Sequence, residues 1–142
     1  MSHWYEKYVN IPYKLFGTNP DTGMDCFNLL RHIYERELSI EIPYLSSDYM
    51  NIVDDSWFQK THRQAFLEAS ENGDWKQVDE LKTFDLILMS IGATNVVNHI
   101  AMYVGKNNII QMLENRDSAI YKYHRYYQQY TVKKVRWKNL NN

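Results

Sequence analysis

The stretch HIAMYVGKNNIIQ, residues 99–111, decides the fold. Apolar residues flank Gly105-Lys106-Asn107 on both sides, and that pattern predicts a β-hairpin. A three-residue loop at Gly105–Asn107 pairs Ala101 with Gln111. Asn107 tolerates the left-handed conformation that such loops use. Gln111 then lies diagonal to His99 on the same face, ~7–8 Å away between backbones, within reach of a long side chain. A two- or four-residue loop would turn Gln111 to the opposite face. The length of one loop therefore decides whether two polar side chains meet.

Around this hairpin the chain divides into a helical half and a strand half. Residues 3–9 read as a short helix with Trp4, Tyr8 and Val9 inward. Pro12 to Gly23 is a loop, punctuated by Pro and Gly. From Cys26, the apolar residues Phe27, Leu29, Leu30, Ile33, Tyr34 and Leu38 fall at helical spacing, with Asp25 as the N-cap. Pro43 disfavours helix at Ile42 and closes this unit. A further helix is expected over 55–71, stopped by Asn72-Gly73. Strands follow at 84–91, 96–104, 108–114 and 130–137, with a short one at 118–122. Helices first and then adjacent strands predict an α+β fold, with the Cys26 helix packed on one face of an antiparallel sheet.

The chain has 142 residues, which fits one domain over residues 1–142. Hydrophobic residues at 44% suffice for a core, and a formal net charge of -1 gives no broad attraction to nucleic acid or membrane. The basic run VKKVRWK (132–138) reads as a strand with its alternate cations in solvent. Cys26 is the only cysteine, so an internal disulfide is excluded. The start MSHWYEKYVN lacks the pattern of a signal peptide, so synthesis in the cytoplasm is expected. The longest apolar stretch, around LILMSIGA, is far short of the ~20 residues that span a bilayer, so no membrane insertion is expected.

Cys26 stands at a loop-to-helix junction. A helix N-terminus supplies free N–H groups and partial positive charge, which favour a thiolate, and the Cys26 N–H can help hold an oxyanion. The competing reading is a small buried hydrophobe, since free cysteine is among the most buried residue types. A nucleophile needs a base. His3 is near the terminus, His32 and His62 fall in expected helices, and His124 sits in the tyrosine-rich run YKYHRYY. His99 lies inside a strand, sharing a face with Val97, Ala101 and Tyr103. A titratable group there needs partners, as a base or as a hydrogen-bonded structural histidine. If Gln111 lies beside it, the Gln111 carbonyl oxygen accepts the Nδ1–H of His99 and leaves Nε2 facing Cys26. Cys, His and a neutral amide is a known triad variant. The single Cys and scattered His residues give no zinc-ligand spacing, and no metal or other cofactor is expected.

These residues coincide with a family pattern. The sequence resembles the NlpC-type cysteine peptidases, papain-like enzymes that cleave peptidoglycan stem peptides. Their first motif runs Pro-Tyr, a short stretch ending in Gly, a polar loop, then Gly-x-Asp-Cys opening a helix; here it is IPYKLFGTNPDTGMDCFNLL (11–30). Their second, Gly-Asp before an apolar strand, is TFDLILM (83–89), which keeps Asp85. The third carries a polar residue twelve positions after the His, and HIAMYVGKNNIIQ supplies Gln111. The resemblance implies a papain-like fold, with Cys26 as nucleophile, His99 as base and Gln111 as the orienting residue. It also implies that Tyr13 and Asp25 serve substrate binding or the oxyanion. The sequence departs from the family at Phe27-Asn28, Leu15-Phe16 and Phe84, and in having Gln at 111 rather than the commoner His. The departures around Cys26 fall where substrate recognition is expected.

The form DCFNLLRHIYERELSIEIPYLSSDY (25–49) looks most like the branch found in bacteriophage tails. It implies association with other tail proteins and action at the bacterial cell wall. The leading expectation is thus a cysteine endopeptidase acting on the D-isoglutamyl–diamino acid bond of stem peptides. The alternatives are a weakly active or inactive structural module of a phage tail on the same fold, and an amidase or deamidase acting on a host protein.

Overall fold

The computed structural model describes residues 3–43, 70–71, 73–92 and 97–140. A 3-10 helix (Trp4–Tyr8) is followed by a small hairpin, β1 (Thr18–Asn19) and β2 (Gly23–Met24), and by the helix α1 (Cys26–Leu38). The strands are β3 (Trp75–Gln77), β4 (Leu86–Met89), β5 (His99–Gly105), β6 (Asn108–Gln111), β7 (Ala119–Lys122) and β8 (Thr131–Trp137). A short helix, Arg125–Gln128, lies between β7 and β8. Among the described residues the main sheet has six strands in the order β3-β8-β4-β5-β6-β7, every pair antiparallel. The α+β architecture is as expected. The helix expected over 55–71 falls almost wholly outside the described residues.

α1 forms because its cap and its apolar positions agree. The Asp25 carboxylate accepts from Asn28 N at 2.9 Å, and such a cap contributes about 1 kcal/mol. Leu29, Leu30, Ile33 and Tyr34 are fully buried, and each aliphatic side chain so removed from water contributes about 1.5–3 kcal/mol. The helix stops at Ser39, whose left-handed backbone (φ 55°) turns its N–H onto the Tyr34 carbonyl.

The sheet has a core on each face. Leu86 and Leu88 of β4, Ile100, Met102 and Val104 of β5, and Ile110 of β6 share a cluster with the α1 residues. Ile87, Met89, Ala101 and Ile109 build a second cluster, covered by Tyr103, Tyr121 and Tyr127. Val97 belongs to the α1 side, so it does not share a face with Ala101 as the alternation suggested. The strict period of two begins only at His99, where pairing with Met89 begins.

The hairpin differs from expectation in its turn and agrees in its register. Lys106 and Asn107, both left-handed at φ 51° and 61°, form a two-residue turn closed by the pair Gly105↔Asn108. Such a turn alone would put Gln111 on the wrong face. A bulge between Tyr103 and Gly105 inserts Val104 as an unpaired residue, and the ladder resumes as Tyr103↔Ile109 and Met102↔Ile110. That register extends to Ala101 opposite Gln111.

Three readings of local structure are corrected. The first helix is a 3-10 turn that buries Tyr5 and Tyr8, with Trp4 only partly covered. β3 and the β1/β2 hairpin were not foreseen; at two or three residues each they are too short to show a period. β8 runs between β3 and β4, so its cations are not all solvated. Arg136 Nε and Nη2 donate to Asp85 Oδ1 and Oδ2 at 2.7 Å each, and the Asp85 side chain is wholly buried.

This ion pair explains the retained Asp85. One carboxylate receives Arg136 from β8 and the Lys82 N–H at 2.7 Å, tying the entry of β4 to its neighbour. Phe84, just before it, holds φ 80°, a backbone conformation unfavourable for a bulky side chain. The Tyr34 hydroxyl donates to the Phe84 carbonyl at 2.5 Å, and the Trp4 ring packs tilted against the Phe84 ring with centroids 4.9 Å apart, which stabilises that conformation. Asp85→Ala leaves the Arg136 guanidinium without its partner and is expected to cost about 3–5 kcal/mol in urea unfolding. Exposed Lys138→Ala, which breaks a surface pair with Asp74, should cost under about 1 kcal/mol.

Candidate active site

Three pieces of backbone converge where α1 begins. The first is the loop before it. Gly17 has no room for a side chain, since a Cβ there would stand 2.2 Å from the Gly23 carbonyl oxygen. Gly23 holds φ 135°, and a Cβ on it would approach Lys14 Cβ to 2.5 Å. These close approaches let Lys14 N donate to Met24 O at 2.8 Å and Met24 N to Pro12 O at 2.9 Å. The loop thereby lays Tyr13 alongside Met24 in an isolated parallel bridge.

Asp25 joins that loop to the helix. Its Oδ1 caps Asn28 N, and its Oδ2 accepts from Phe16 N at 2.9 Å. Asn28 Nδ2 then donates to Gly17 O at 2.9 Å. Phe27 is buried in the core. The departures at Phe27 and Asn28 therefore serve packing and loop anchoring. Neither side chain lines the pocket at the thiol.

Cys26 and His99 line one pocket of about 50 Å³, together with Tyr13, Leu15, Asp25, Asn98, Met112 and Glu114. α1 packs on the Ile100/Met102 face, whereas alternation assigns His99 to the Ala101 face. They meet because each is the first residue of its element. His99 is buried, and its Nε2 lies 2.8 Å from Gln111 Oε1. The expected partnership thus exists, through the opposite ring nitrogen. An Nε2–H donating to Oε1 leaves Nδ1 with its lone pair for a proton from the pocket side. Gln111 is fully buried, and its Nε2 has no hydrogen-bond partner among the described residues.

The electrostatics favour neutral forms. Burial, then the Asp25 carboxylate, push the Cys26 thiol up to about 12, against the backbone N–H groups of Ile100, Phe27 and Cys26. The N–H groups at the helix start act in the direction expected, and burial outweighs them. Cys26 nevertheless keeps partial solvent access. Burial pulls His99 down to about 4, against the hydrogen bond to Gln111. Burial and then Glu114, Cys26 and Asp25 push the Tyr13 hydroxyl up to about 12, so it keeps its proton at neutral pH. Moving one proton from sulfur to imidazole creates opposite charges side by side, and each offsets the desolvation of the other.

Glu114, Asn98 and Met112 were missed as pocket residues. Asn98 had one sequence signal, its place beside His99. Its Oδ1 accepts from Ile91 N at 2.9 Å and its Nδ2 donates to Ile91 O at 3.0 Å, fixing the backbone that presents the histidine. No group of three His, Cys, Asp or Glu residues among those described is placed to hold a metal ion. No helix among them is long and apolar enough to cross a membrane.

A murein DD-endopeptidase, MepH of Escherichia coli (strain K12), is 27% identical over 103 residues, covering 72% of this chain and 31% of that protein. A gamma-DL-glutamyl hydrolase of Bacillus subtilis (strain 168) is 22% identical over 106 residues, covering 75% and 21%. The chain thus spans less than a third of each of these relatives. The crystal structure of an NlpC/P60 family protein from Bacillus cereus ATCC 10987 superposes with a TM-score of 0.61 at 24% identity, covering 92% of this chain and 36% of that one. The model of the NlpC/P60 family matches residues 10–136, which takes in the loop, α1 and the whole of the main sheet up to Arg136. The chain belongs to the NlpC/P60 family.

Proposed function

We propose that this chain is a cysteine peptidase that hydrolyses the D-isoglutamyl–diamino acid bond of peptidoglycan stem peptides. The observation that carries the reading is the pocket shared by Cys26 and His99, with His99 held through Nε2 by Gln111. Cys26 Sγ attacks the amide carbonyl carbon as its proton passes to His99 Nδ1. The oxyanion that forms is held by the Cys26 N–H and the Tyr13 hydroxyl. A preorganised donor of this kind contributes about 10²–10³ in kcat. The intermediate collapses with cleavage of the C–N bond, and His99 returns the proton to the leaving amine. Water, deprotonated by His99, then hydrolyses the thioester. Asp25 holds the thiol at the start of α1 and places a carboxylate at the pocket wall.

The relatives support the substrate class, since one is a murein endopeptidase and another a gamma-DL-glutamyl hydrolase. The choice of the isoglutamyl bond rests on the family pattern in 11–30 and 99–111. The proposed setting is a bacteriophage tail, made in the cytoplasm and working at the bacterial cell wall beside other tail proteins. That part rests on the form of residues 25–49.

Digestion of purified sacculi tests the reading. The wild type should release fragments with new amino termini on the diamino acid, read by mass spectrometry, and Cys26→Ala should release none. Sacculi unchanged by both proteins would favour the non-catalytic tail module. The buried histidine adds a pH dependence. His99 takes up its proton at about 4 when folded and at its ordinary 6.5 when unfolded. Between these values the unfolded chain binds more protons, so stability falls as pH drops from about 6.5 to about 4. The loss is on the order of 3 kcal/mol. Urea midpoints across this range should show it, and an NMR titration should show the His99 ring unchanged until the pH nears 4.

A further inference from the structure

The tyrosine-rich run YKYHRYY (121–127) has no role in the chemistry above. Its last residue, Tyr127, lies in the short helix Arg125–Gln128. This helix covers the sheet face opposite α1, and Tyr127 packs there against the cluster of Ala101 and Ile109. Ala101 is opposite Gln111 in the ladder, and Ile109 is its neighbour on the same face. Gln111 is 0% exposed, and its Nε2 lacks a partner among the described residues. A buried amide N–H without an acceptor is costly, and native structures seldom leave one so. The Tyr127 hydroxyl lies close enough for the Gln111 amide to act on its ionisation, against the burial that raises it.

We propose that Tyr127 is a positioning residue whose hydroxyl oxygen accepts a hydrogen bond from Gln111 Nε2. The contact closes by a small adjustment of either side chain. It fixes which end of the amide faces His99. An amide has a donor end and an acceptor end, and a flip would present N–H to the ring. With Nε2 engaged by Tyr127, Oε1 must face His99, the ring carries its proton on Nε2, and Nδ1 is the free base. Two hydrogen bonds then link Tyr127, Gln111 and His99, whose Nδ1 is left for the pocket shared with Cys26. The inference rests on the reading of Cys26 and His99 as nucleophile and base.

Alkylation of Cys26 by iodoacetamide tests it without any peptidoglycan, so failure to digest sacculi would leave it standing. Tyr127→Phe keeps the ring and removes the hydroxyl. It should slow alkylation at neutral pH by about 3- to 10-fold, the worth of one neutral hydrogen bond, and shift the midpoint of the pH–rate profile. Gln111→Ala should slow it at least as much, and adding Tyr127→Phe to that variant should change nothing further. Equal losses in both backgrounds, or none in either, would overturn the proposal. A measurement on the wild type stands apart from folding of the variants. One Gln111 side-chain amide proton should be shifted downfield and exchange slowly, with a cross-peak to Tyr127. An amide exchanging freely with solvent would overturn the proposal as well.

Discussion

The carboxylate of Asp25 is the constraint from which the rest follows. One oxygen caps α1 at Asn28 and the other holds the backbone of Phe16. The start of the helix and the loop before it are thereby a single rigid corner. Cys26 is the next residue, so that corner sets where it stands. The same carboxylate raises the thiol. The fold accepts a poorer leaving proton in return for a fixed sulfur, and on the proposed reading His99 is the group that removes it.

This division makes the site a neutral pair at rest. Neither the thiol nor the imidazole holds a charge easily where it is buried. A charge becomes tolerable on either one when its opposite forms beside it. Such a site is electrically quiet at rest, although the cysteine keeps some access to solvent. Asp85 and Arg136 show the other solution to the same problem. There both charges are permanent, and a bidentate geometry together with the Lys82 N–H satisfies them.

Much of this was legible in the residues. The helical spacing from Phe27 to Tyr34 and the cap at Asp25 located the start of α1, while its end at Leu38 comes before the stop expected at Ile42. The strand residues 99–111 named both members of the buried polar pair. What escaped had physical reasons. The ring nitrogen that meets Gln111 depends on how the side chain enters from the end of a strand, and spacing along the chain carries no such information. Arg136 looked like a solvated cation because nothing in VKKVRWK shows that β8 is inserted between two other strands. Phe27 and Asn28 looked like substrate residues by their place beside the cysteine, while their contacts lie with the core and Gly17. The raised thiol was missed because burial is a property of the packed molecule, and at this site it outweighs the helix dipole.

The unpaired Val104 has a meaning beyond local geometry. A sheet reads its strands by parity, and the bulge corrects the parity that the Lys106-Asn107 turn would otherwise set. Turn and bulge are therefore one unit of inheritance. A chain that lost Val104 alone, keeping the same turn, would roll its next strand over and place an isoleucine or methionine behind His99 in place of the amide. Length changes in this hairpin are permissible only when they leave an even offset. A single-residue deletion seven residues from the amide would thus change what stands behind His99.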